Sequence, residues 1–144
     1  MNLYIKILRL DHIPKHVFIL PGIFLAYLYY PEKNIELNNA ILGFLCAIIS
    51  ASSNYVINEY LDKNFDKYHP LKNKRVLVEK KLNLKNIIFY YIFLVALSLI
   101  ISLQINFYFF ITNLVFIISG IIYNVKPFRL KDKVYFLSFL IPMQ

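Results

Sequence analysis

At 144 residues the chain is one domain's length, but 59% hydrophobic side chains and a mean hydropathy of +0.56 exclude an ordinary soluble domain, where about 45–50% is usual. Its net charge of +8 does not point to nucleic acid. Of the 16 Lys and Arg, 15 lie within 6–15, 63–85 and 126–133, and only Lys33 lies elsewhere, which is how basic loops alternate with membrane spans. The single Cys46 lies within an apolar run, so neither a disulfide framework nor a cysteine metal site is available.

The N-terminal Met1 to Leu10 mixes Tyr4, Lys6 and Arg9 with short apolar residues. It lacks the continuous apolar core and cleavage site of a signal peptide and reads as an amphipathic segment at the interface. A first span is predicted over about 14–30, with Asp11 or His12 as cap and Pro14 in the first turn. Pro21-Gly22 should kink or break it. A second span, 37–60, carries Gly43, Ala47, Ser50, Ala51, Ser52 and Ser53, small enough to let another helix approach closely. The third, 86–103, and the fourth, 106–123, are separated only by Gln104 and Ile105, which predicts a tight helical hairpin. The apolar run 134–143 is too short to cross and reads as the start of a fifth span.

Charge orients these spans. The stretch 31–39 holds Glu32, Lys33 and Glu36, a net of −1, and the turn between the third and fourth spans holds no charge. The N-terminus and the two basic loops therefore share the cytoplasmic face of the plasma (inner) membrane. The expected fold is all-α: a polytopic transmembrane helical bundle of four spans with part of a fifth.

Chemistry concentrates where the second span meets its basic loop. Asn58, Asp62 and Asp66 are spaced i, i+4, i+8 and share one helix face. Two carboxylates and an amide on one stripe suit a hard divalent cation such as Mg²⁺, which takes oxygen ligands and phosphate partners. His69-Pro70-Leu71-Lys72-Asn73-Lys74-Arg75 follows, and Pro70 ends the helix. Lys72 and Arg75 are then presented beside the carboxylates; His69 is either a phosphate donor or a helix-end cap. Tyr123, Arg129 and Lys131 leave the fourth span on the same face, where they either close over a diphosphate or form an inert basic loop that only fixes topology. Arg9 and Lys15 stand at the polar start of the first span, where they meet phosphate or snorkel to the headgroups. No Gly-rich phosphate loop or HExxH appears.

The pattern Asn58-Glu59-x-x-Asp62-x-x-x-Asp66 resembles the first aspartate-rich motif of the UbiA superfamily of intramembrane prenyltransferases, with Glu59 in place of the usual Asp. The continuation Asp66-x-x-His69-Pro70-x-Lys72-x-x-Arg75 is similar to the decaprenyl-phosphate phosphoribosyltransferase-like branch, with Val76 where that branch has Pro. Arg9-x-x-His12-x-x-Lys15 and Tyr123…Arg129-x-Lys131 resemble the branch's other polar segments. The resemblance implies Mg²⁺ on Asn58, Asp62 and Asp66, with the two aspartates catalytic. It implies substrate phosphates on Lys15, Lys72, Arg75, Tyr123, Arg129 and Lys131. The implied reaction moves phosphoribose from phosphoribosyl diphosphate to a polyprenyl phosphate. The alternatives are transfer from a polyprenyl diphosphate to an aromatic acceptor, or a non-catalytic membrane fragment. Residues 1–144 hold one aspartate-rich motif and read as the N-terminal part of such a domain, with a C-terminal half missing and no turnover expected from this chain alone.

Overall fold

The computed structural model describes residues 3–9, 14, 17–29, 36–79 and 82–133, and every regular element among them is helical. The axis is a 30-residue helix, here α3 (Leu37–Asp66). At 1.5 Å per residue it is about 45 Å long, against a hydrocarbon core of about 30 Å. It therefore outruns the predicted 37–60 span by six residues. Apolarity stops at Tyr60, but nothing in 61–66 breaks a helix. The last turns rise out of the apolar slab and carry Asp62 and Asp66 with them.

Two further helices are long and apolar enough to cross a membrane: α5 (Leu84–Ile105) and α6 (Phe107–Asn124). Their 22 and 18 residues correspond to about 33 and 27 Å. Between them stands one residue, Asn106, rather than the predicted Gln104 and Ile105. Its side-chain oxygen accepts the Phe109 N–H at 2.8 Å, an N-cap that lets α6 begin at once. The predicted first span is described as a 3-10 turn over Val17–Ile19 running into α2 (Leu20–Tyr29), ten residues with none buried. The expected break at Pro21-Gly22 is thus a change of helix type. Proline lacks an N–H and fits the first turn of α2. The predicted partial span 134–143 lies outside the described residues.

The helices meet through small polar side chains. Cys46, Ser50, Ser53, Ser98 and Ser102 are all fully buried. The Cys46 thiol donates to the Ser98 carbonyl at 3.2 Å, and the Ser50 hydroxyl donates to Asn113 Oδ1 at 2.7 Å. Large apolar residues such as Phe89, Phe93, Leu103 and Val115 are exposed instead. Polar seams inside and apolar surface outside suit a lipid solvent, because helices gain from close packing there and not from hiding apolar groups.

A smaller apolar cluster closes the basic end. Ile7, at the end of α1 (Leu3–Ile7), joins Val56, Leu77 and Ile87, and the Ser52 hydroxyl donates to the Leu8 carbonyl at 3.2 Å. Because α3, α5 and α6 alternate in direction, the C-terminal ends of α3 and α6 and the start of α5 lie on one side.

Candidate functional site

Asn58, Asp62 and Asp66 share one wall at the end of α3, and each meets a different set of partners. Asp66, 4% exposed, pairs with the Arg75 guanidinium. The chain that returns Arg75 to it is a folded unit. The His69 N–H donates to the Asp66 carbonyl at 3.1 Å, and His69 Nδ1 accepts the N–H groups of Leu71 and Lys72 at 3.2 and 3.3 Å. The Nδ1 side therefore braces the turn that follows and caps no carbonyl of α3. A 3-10 turn, Lys72–Lys74, follows, and Arg75 is extended at φ −65°, ψ 147°.

Val76 then opens α4 (Val76–Glu79). An extended residue followed by the first position of a helix is the backbone that proline prefers. The backbone at Val76 is therefore one that a proline could also adopt. Glu59, 3% exposed, accepts the Leu77 N–H at 3.0 Å. This satisfies one of the orphan donors at the start of α4 and docks that helix on α3.

The second half of the site arrives from the end of α6. The buried Lys131 ammonium donates to Asn58 Oδ1 at 2.9 Å, to the two oxygens of Asp62 at 2.6 and 2.7 Å, and to Asn124 Oδ1 at 3.2 Å. Arg129 donates from Nη2 to Asp62 Oδ1 at 3.0 Å and from Nε to Asp132 at 2.6 Å. Its guanidinium carbon lies 5.4 Å from the centre of the Phe65 ring, within cation–π range. At φ 31° Arg129 occupies the left-handed region that non-glycine residues seldom adopt. Three partners hold its side chain there.

These groups line a cleft of about 430 Å³ that includes Asn58, Asp62, Asp66, Lys72, Tyr123, Arg129 and Lys131. Arg75 does not line it and reaches it only through Asp66. Lys15 lies outside the described residues. The expected metal ligands are not gathered on one point: Asn58 and Asp62 converge on Lys131, whereas Asp66 is turned to Arg75. Among the described residues no three His, Cys, Asp or Glu side chains form a ready metal cluster. The physical reason is that each carboxylate already has a basic partner.

The donor chemistry nonetheless fits a cation. Four oxygens from Asn58, Asp62 and Asn124 surround one ammonium, and a hard cation takes the same kind of ligand. Asn124, only 4% exposed, had no role in the sequence reading. The available signal was an amide at the last turn of a span, directly before the basic segment. Asp132 and Phe65, which steady Arg129, were likewise missed.

A groove of about 460 Å³ between α3 and α6 shares Asn58 and Tyr123 with the cleft and continues along Asn54, Phe116, Gly120 and Asn124. It leads from the apolar part of the molecule to the charged end. A model of the UbiA prenyltransferase family matches residues 19–143 of the chain. No significant match was found among curated proteins or among solved structures.

Proposed function

The chain belongs to the UbiA prenyltransferase family, and from that premise we propose that its cleft handles a Mg²⁺-bound diphosphate, moving phosphoribose from phosphoribosyl diphosphate to a polyprenyl phosphate. The observation that carries the reading is the oxygen cage of Asn58, Asp62 and Asn124 around one ammonium, with Asp66 and Lys72 on the same cleft. Asn58, Asp62 and Asp66 would hold the ion. Mg²⁺ bound there would offset the charge that develops on departing pyrophosphate.

The basic side chains supply directional donors to the same charge. Lys72 lines the cleft, and Arg129 and Lys131 are already within hydrogen-bond reach of its carboxylate wall. Arg75 orients Asp66. Lys15 is assigned to the substrate face by resemblance. In the proposed step an oxygen of the polyprenyl phosphate bonds to the anomeric carbon as the bond from that carbon to the diphosphate oxygen breaks, releasing pyrophosphate. The groove that shares Tyr123 with the cleft supports a lipid-borne acceptor, because it gives an isoprenoid chain an apolar path to a polar end. The phosphoribosyl donor is favoured by the His69-Pro70-x-Lys72-x-x-Arg75 segment, which folds as one unit on Asp66.

The test is calorimetric binding of phosphoribosyl diphosphate to the detergent-solubilised chain, with and without Mg²⁺. Asp62→Asn combined with Asp66→Asn is expected to abolish the Mg²⁺-dependent part while the helical circular-dichroism signal is retained. Unchanged binding in that variant would discard the site.

A further inference from the structure

The face of α3 turned away from the cleft carries a second site. With 3.6 residues per turn, Tyr60, Lys63, Asn64 and Lys67 centre about 150° around the helix from Asn58, Asp62 and Asp66. They open onto a separate cleft of about 520 Å³ whose other wall is Leu77, Val78, Leu82 and Ile87. Among the described residues no acidic side chain lines it. The contrast with the first cleft is electrostatic: there Arg129 and Lys131 both pair with Asp62. Lys63 and Lys67 have no carboxylate partner among the described residues. Their ammonium groups lie 4.4 and 5.8 Å from the centres of the Tyr60 and Tyr68 rings. Such contacts orient a cation without cancelling its charge.

The order of chemistry along the helix matches one kind of ligand. Leu77 and Ile87 belong to the buried apolar cluster, and Tyr60 stands where the apolar run of α3 ends. Lys63 follows about 4.5 Å farther along the axis and Lys67 about 10.5 Å farther. Apolar floor, interfacial aromatic, then paired cations is the sequence of environments that an acyl chain, glycerol and phosphate occupy at a bilayer surface. We propose that this cleft is a binding site for an anionic phospholipid, its phosphate on Lys63 and Lys67 and the top of one acyl chain along Leu77, Val78 and Leu82. The site is independent of the transferase reading: it lies on the opposite face and shares no lining residue with the diphosphate cleft.

The experiment reconstitutes the full chain in mixed phosphatidylcholine–phosphatidylglycerol bilayers and reads the lipids that stay bound by native mass spectrometry. Wild type is expected to retain phosphatidylglycerol in preference to phosphatidylcholine. Lys63→Gln with Lys67→Gln should lower that preference at least about fivefold, since each lysine near the surface contributes roughly that factor. Lys63→Arg with Lys67→Arg should keep it, and so should Asp62→Asn with Asp66→Asn, which touches only the other cleft. An unchanged preference in the glutamine variant overturns the proposal. Complete displacement of the lipid by millimolar inorganic phosphate also overturns it, because the site would then recognise phosphate alone.

Discussion

An ammonium buried among four oxygens depends on those oxygens staying ordered, and the oxygens in turn depend on it. Lys131 holds Asn58, Asp62 and Asn124 together, and Arg129 is the other cation on Asp62. Replacing it by methionine keeps much of the apolar stem and removes the charge. Lys131→Met is expected to cost about 1.5–3 kcal/mol, the range for hydrogen bonds to a charged group. If the oxygens form a cation site, Mg²⁺ should then raise the melting temperature of the variant more than that of wild type, since the ammonium no longer competes. Thermal scans with and without magnesium chloride check this; a smaller gain in the variant would count against a cation at these oxygens. Asp66 behaves differently because its partner, Arg75, comes from the loop after α3 and not from the segment after α6.

At the scale of elements, the site exists because α6 lies close against α3. Gly120 marks that approach: a Cβ built on it would stand 2.1 Å from Asn54 Oδ1 and 2.5 Å from Asn54 Cγ. Ordinary helix propensity favours alanine over glycine by about 1 kcal/mol. Overpacking costs about 1–3 kcal/mol, so the clash should prevail. Gly120→Ala is expected to lower the melting temperature. In an Asn54→Ala background the same change should become neutral or stabilising, because the obstructing amide is gone. A double-mutant cycle read by thermal unfolding measures the coupling; simple additivity would show that Asn54 does not set the helix spacing. A Cβ built on Gly43, by contrast, would meet Phe109 at 3.7 Å, an ordinary contact that carries no comparable expectation.

At the scale of the whole molecule, the chain is an integral membrane protein whose interior is more polar than its exterior. Cys46 reports on that interior, being 0% exposed with its thiol hydrogen-bonded to the Ser98 carbonyl. In the folded, detergent-solubilised chain a maleimide should leave it unmodified, and denaturation in dodecyl sulfate should expose it fully. Rapid labelling before denaturation would mean that α3 and α5 do not pack as described. The same interior explains why composition so strongly favoured a membrane protein: three helices that expose phenylalanine and leucine while burying serine have no stable arrangement in water.

The sequence by itself determined what is local or periodic. Apolar run lengths located α3, α5 and α6 to within a few residues, and i, i+4 spacing put Asn58, Asp62 and Asp66 on one face. Its family resemblance agrees with the family match over 19–143. Run length misjudged what apolarity does not control: the end of α3, which continues to Asp66, and the turn between α5 and α6, which the Asn106 cap reduces to one residue. Tertiary structure alone decided that Lys131 caps Asp62 across 69 residues, that Arg75 takes Asp66, and that Asn124 joins the oxygen cage. Periodicity fixes which residues of one helix share a face. Which distant side chain meets them follows from how closely the helices approach, and that depends on small residues and buried hydrogen bonds lying far apart in the chain.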